Sequence, residues 1–238
     1  MVEIVNNLYR NMLAKVGSIL ILAWAFSIGA ASTANAALML MLDDTTAAGI
    51  EVTVTDQGDG DYNTTVGAVT YIGTVGAYSV NVSTGFSKPI LGSAGVPSMD
   101  LSSINFFGSA GSLQILLTDT GFTALGKAMM SIGGVSAGNV TYAAWADESN
   151  VEFAMGMGNQ LGILGPFSGA FSGATGTMGP AASSAPFSLT QRVSIVHNTA
   201  GATSFNATLV VPEPGTLVLL GLALVGVAVF AKRRTPRK

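Results

Sequence analysis

From residue 37 to residue 211, apolar side chains recur at every second position in short runs, and almost nowhere at the spacing of a helix. Glu51-Val-Thr-Val-Thr-Asp56 alternates polar and apolar residues as a half-buried strand does, and Val66–Thr74 and Tyr78–Ser83 do so around a Val75-Gly76-Ala77 turn. Leu38–Leu42, Leu101–Phe107, Leu113–Thr118, Val140–Trp145, Val151–Met155, Phe187–His197 and Thr203–Val211 read the same way, separated by Gly, Asn, Asp and Ser. The pattern predicts an all-β fold, an antiparallel β-sandwich or jelly roll of about nine strands. Two stretches fit it less well. Phe122–Met130 suits either a helical turn or a strand. Residues 156–185, rich in Gly, Ala, Ser and Thr, read as a long flexible loop, with a glycine-rich binding loop as the sharper alternative.

Two apolar segments flank this body. Val16–Ala30 follows Arg10 and Lys15 and precedes Ala34-Asn35-Ala36, the small-x-small pattern a signal peptidase reads. Its 15 residues fall short of the ~20 that span a bilayer, so residues 1–36 are expected to be a cleaved signal peptide. Gly215–Ala231 holds 17 residues without a charge, about 26 Å as a helix, and predicts a C-terminal transmembrane helix. Lys232, Arg233 and Arg234, with Arg237 and Lys238, form a membrane stop that keeps the C-terminus cytoplasmic and residues 37–211 outside. Those 175 residues form one exported domain. Three cations (Lys88, Lys127 and Arg192) against eleven carboxylates leave it at −8, which disfavours nucleic acid as a partner.

Composition removes several chemistries. Without cysteine there is no thiol nucleophile and no disulfide, and one histidine cannot build a His-rich zinc site. Gly134-Val-Ser136-Ala-Gly138, followed by Asp147 and His197, matches the order of a serine hydrolase triad. That elbow belongs between a strand and a helix, whereas Asn139–Trp145 reads as a strand, so a non-enzymatic role is expected and a secreted hydrolase ranks below it. Asp56, Asp59 and Asp61 crowd a glycine-rich turn and are the one candidate metal site, for calcium; the bland alternative is a solvated hairpin turn. Asp43 and Asp44 are its nearest candidate helpers. No other cofactor is implied. Asn63, Asn81, Asn139 and Asn206 head N-x-[ST] triplets, which here mark exposed polar strand faces more than glycosylation. Tyr62, Tyr71, Tyr78, Tyr142 and Trp145 suit either a sugar-stacking face or cross-strand and core packing.

Pro212-Glu213-Pro214, the apolar span 215–231 and the basic tail 232–238 together resemble the PEP-CTERM sorting signal of exported proteins in Gram-negative bacteria. The β-rich body, with VTVTDQGDGD and GAVTYIGTVGAYSVNVSTG, also resembles an exported domain found with such tails. The resemblance implies an exosortase as partner, cleavage near Pro212-Glu213-Pro214, passage through the inner membrane, and delivery to the cell surface or matrix. Association with exopolysaccharide or biofilm, or self-association, follows as an expectation; a calcium-assisted carbohydrate-binding module is the alternative. Prolines on both sides of Glu213 hold the motif extended, the shape a protease cleft accepts.

Overall fold

A computed structural model describes residues 38–212, apart from 46–48, 50–51, 77, 108 and 177–180. The expected signal peptide at 1–36 and membrane helix at 215–231 lie outside the described residues. Among the described residues there are eleven strands: β1 (Met39–Asp44), β2 (Val52–Thr55), β3 (Ala68–Val75), β4 (Tyr78–Phe86), β5 (Gly92–Ser93), β6 (Val96–Phe107), β7 (Gly111–Phe122), β8 (Met129–Asp147), β9 (Gln160–Ala174), β10 (Phe187–His197) and β11 (Gly201–Val210). Every pairing is antiparallel, along the order β2-β1-β7-β10-β8-β11-β6-β4-β3. Among the described residues no helix is long and apolar enough to cross a membrane.

The strand order divides at β8. Its second half, Asn139–Asp147, pairs with β10, while its first half, Met129–Ser136, pairs along the same edge with β11. One sheet is therefore β2-β1-β7-β10 with the end of β8, and the other is β3-β4-β6-β11 with its beginning. The register breaks between Ser136 and Val140, where β8 passes from one sheet to the other. Glycine makes that passage possible. A Cβ on Gly134 would run into the Ser204 carbonyl oxygen of β11, and one on Gly138 into the Val196 carbonyl oxygen of β10. The two glycines of the hydrolase-like motif thus serve close backbone approach.

The sheets pack face to face over one core. On β6, Met99, Leu101 and Phe107 point inward, while Asp100, Ser102, Ile104 and Phe106 point out, the period-two alternation its sequence predicts. Leu40, Leu42, Leu113, Ile115, Leu117, Val193, Ile195 and Leu209 complete the interior at 0% exposure. Each such side chain contributes about 1.5–3 kcal/mol by leaving water. Gly85 of β4 faces Leu117 of β7, and any Cβ there would occupy the space of the Leu117 methyls. At the core's margin, Lys88 Nζ donates to Asp119 Oδ2 at 2.8 Å and lies 4.1 Å from the centre of the Phe122 ring. Burial pushes the Asp119 carboxyl up and the Lys88 ammonium down, each opposed by the partner's charge.

Three expectations are corrected. Residues 160–174 form β9, inside the stretch read as a flexible loop. Its core-facing Leu161, Leu164, Phe167 and Phe171 are spaced three, three and four residues apart, because register breaks along the β8–β9 pair displace the simple alternation. Val151–Met155 is not a strand but turn and coil lying over the sheet. Between Phe122 and Met129 the chain is neither helix nor regular strand, with only an isolated bridge at Lys127. The expected all-β antiparallel architecture of about nine strands stands, with the two-residue β5 and β9 added to the nine strands read from the sequence.

Candidate functional site

The outer faces of the two sheets differ. Over the first, residues 148–159 form a cover. Phe153 N donates to Thr118 Oγ1 at 3.2 Å, Ser188 Oγ donates to the Val151 carbonyl at 2.6 Å, and the Arg192 guanidinium sits 4.9 Å from the Trp145 ring centre. Trp145 is left only 5% exposed. Over the second sheet, Ile72, Ile104, Phe106 and Val135 stand in solvent at 46%, 47%, 47% and 60% exposure.

Register places a polar row beside these apolar side chains. Ser172 of β9 is opposite Gly133 of β8, which is opposite Asn206 of β11, followed by Ser102, Thr84 and Thr70 on β6, β4 and β3. Thr70 Oγ1 and Thr84 Oγ1 lie 3.0 Å apart. The next row begins Ala174, Ser131, Thr208 and Asp100. Where these rows cross β8 and β9, an open groove of about 680 Å³ lies between Ser131, Gly133, Ser172, Asn206 and Thr208. Gly133 forms its floor: a Cβ there would meet nothing nearer than Phe171 O at 3.6 Å. Asp100 Oδ2 accepts from Thr208 Oγ1 at 3.2 Å. Burial raises the Asp100 carboxyl above its ordinary value, and hydrogen bonds from Asn206 and Thr208 oppose the shift. Chemically the groove offers hydroxyls and an amide beside an apolar strip, with the Asp100 carboxylate behind Thr208 and outside the lining. That set can hydrogen-bond a hydroxyl-rich ligand.

Of these residues only Asn206 stood out in the sequence, and then as a glycosylation triplet. The available signal was the outward half of each alternating strand, which becomes a surface only once the strand order is known.

The acidic turn is organised from within. Asp61 Oδ1 accepts from Asn63 N at 2.8 Å and Thr70 N at 2.9 Å, and its Oδ2 accepts from Gln57 N at 3.1 Å. Asp56 Oδ2 accepts from Gly67 N at 2.7 Å. Two of the three carboxylates thus close the β2–β3 connection onto its own backbone. Among the described residues no three acidic or histidine side chains form a metal-holding group, Asp59 with Asp56 and Asp61 included.

The hydrolase residues do not assemble as a triad. Ser136 Oγ is 2.6 Å from Thr203 Oγ1, and His197 Nε2 is 2.8 Å from that same hydroxyl, so Thr203 stands between them. Ser136 is 3% exposed and His197 2%. Asp147 lies opposite Ser188, nine residues along β10 from His197, or about 30 Å at strand rise. Its carboxylate accepts instead from Val151 N and Asn159 Nδ2. His197 stacks on Phe107 at 3.9 Å, and burial lowers its pKa.

The aromatic candidates disperse. Tyr78 and Tyr142 are fully buried, Tyr142 donating to Gln191 Oε1 at 2.8 Å; Trp145 lies under the cover, Tyr71 packs on the core, and Tyr62 is exposed in a loop. They form no common sugar-stacking face.

At the other end of the chain, Val211 is 0% exposed, and its N–H donates to the Pro97 carbonyl at 2.9 Å. Pro212 is the first exposed residue after it. Glu213, Pro214 and the stop at Lys232, Arg233 and Arg234 lie outside the described residues.

Fold and site together define an all-β antiparallel sandwich with one covered and one bare sheet face, whose last strand runs directly into a proline-flanked glutamate. The family model of the PEP-CTERM protein-sorting motif matches residues 210–234, so the chain carries that sorting motif at its C-terminal end. No curated protein matches it. Among solved structures it is similar to TmCBM61 in complex with beta-1,4-galactotriose, at 7% identity and a TM-score of 0.34 over 55% of this chain and 88% of that one. It is also similar to a carbohydrate-binding module of the β-sandwich superfamily, at 10% identity and a TM-score of 0.30, covering 72% and 83%. A third is the mannan-recognising module TmCBM27, at 8% and 0.27, covering 54% and 89%. These likenesses concern fold alone.

Proposed function

We propose that this chain is an exported surface or matrix protein, sorted and cleaved by an exosortase at Pro212-Glu213-Pro214, whose sandwich associates with neutral extracellular polysaccharide through its bare sheet face. The observation that carries the sorting half is the motif matched at 210–234, beginning where the buried core ends at Val211. In this reading the events run in a Gram-negative envelope: export, a transient stay in the inner membrane, then transfer to the surface; the sorting motif at 210–234 supports it. The polysaccharide half is supported by the groove at Gly133, whose uncharged hydrogen-bonding groups lie beside an apolar strip. The role is non-catalytic in this reading, and calcium has no part in it, because Asp56 and Asp61 already bind backbone N–H groups.

Replacing Pro212-Glu213-Pro214 by alanines is expected to leave uncleaved protein in the inner membrane; normal, shortened protein at the surface would refute the sorting claim. For the groove, native affinity gels containing a neutral glucan or galactan should retard the full chain. Gly133→Leu fills the floor and should abolish the retardation, and unchanged retardation removes the groove from the reading.

A further inference from the structure

We propose that β9 is a self-association edge, through which two copies of this chain pair antiparallel and join their bare faces into one continuous sheet. The inference stands independently of what the bare face binds. β9 pairs with β8 along one side, and among the described residues no strand pairs with its other side. Such an edge exposes a row of backbone donors and acceptors, which natural proteins guard with charges, above all lysine. Here the charges are missing, since no charged residue occurs between Glu152 and Arg192, and the other edge-blunting features, Pro166 and the register breaks, lie before residue 169. Elsewhere the exported domain is acidic enough to repel its own copies, with Asp56, Asp59 and Asp61 beside the far end of the sheet. Residues 160–174 of β9 carry no charge of either sign to repel a second copy.

The geometry selects the pairing segment. Gly165 and Gly169 have positive φ, and Pro166 lacks an N–H, so the strand is irregular before Ala170. Residues 169–174 then follow β8 residues 136–131 one for one without a break, which leaves a straight outer edge. Ala170, Ser172 and Ala174 are small and exposed, so two backbones can approach. Phe167 and Phe171 stack at 5.3 Å at the flank, only half-buried, and Ile163 is 59% exposed. A second copy covers this apolar flank with its own. An isologous pair about a two-fold axis runs its edge strands antiparallel.

The chain's lack of cysteine makes the test direct. Single cysteines at Ser168, Ala170, Ser172 and Ala174, introduced one at a time into the full chain in detergent, can form only intermolecular disulfides. Because Cα atoms must come within roughly 4.4–6.8 Å, only the residue nearest the two-fold axis crosslinks well. The expected result is a maximum of covalent dimer at one of these positions, falling away on either side. Thr74→Cys on β3 serves as the control and should stay monomeric. Ala170→Lys with Ala174→Lys should abolish the dimer seen by sedimentation while leaving the circular dichroism of the fold unchanged. Uniform crosslinking, a maximum at Thr74, or a wild-type chain that sediments as monomer throughout would overturn the proposal.

Discussion

The covered sheet and the bare sheet of this sandwich are built from equally regular strands, yet they spend their outward positions differently. On the covered side, Thr118, Trp145, Ser188 and Thr190 point away from the core and are nevertheless buried, because residues 148–159 fold back over them. Thr118 and Thr190 then hydrogen-bond to each other at 3.0 Å, and Arg192 lies against Trp145. On the bare side the same outward positions carry Ile104, Phe106, Val135 and Asn206 into solvent. The lesson is that stability is concentrated on one outer face, and surface left free for partners on the other.

That contrast can be broken from either side. Trp145→Ala removes the anchor of the cover and is expected to cost about 3–5 kcal/mol in urea unfolding; a loss below 1 kcal/mol would mean the cover does not stabilise the sheet. Asp61→Ala leaves three backbone donors without their acceptor and should cost about 1–3 kcal/mol, while millimolar calcium leaves the wild-type midpoint unmoved. A calcium-dependent rise in melting temperature would make the acidic turn a calcium site. A smaller effect belongs to His197. Its folded pKa lies below its unfolded value of about 6.5, so the unfolded chain takes up the proton first, and stability falls as pH drops through that value. Melting between pH 7.5 and 5.5 should show this decline, and His197→Gln should flatten it. The smallest change is expected on the bare face, where Ile104→Ser should shift stability by no more than about 0.5 kcal/mol. A large loss there would show that the bare face is part of the structural core.

The strands with clean alternation, β6 and β11 above all, were legible as written, because each buries one face only. β9 was hidden for a physical reason. Register breaks moved its apolar residues out of period two, and its glycines looked like loop. The Gly134 to Gly138 motif was visible but misleading. Close backbone contact, like a nucleophile elbow, selects glycine, and the sequence alone does not separate the two. The groove was not legible at all: Ser131, Ser172 and Asn206 are distant in the chain and meet only through the strand order. Nor could alternation distinguish the covered outward residues from the bare ones, since the cover comes from a segment read as another strand.

The exit of the chain at Val211 has a mechanical consequence. The tail leaves from the end of β11, and β11 is zipped to β8 residues 129–136, whose opposite edge is zipped to β9. In a molecule held by its C-terminal end and gripped through β9, tension runs along these strands and loads both ladders in shear, so many hydrogen bonds resist at once instead of being peeled one by one. The hydrogen-bonded path from Val210 to β9 runs through β8 alone and does not pass through β1, β2 or β7.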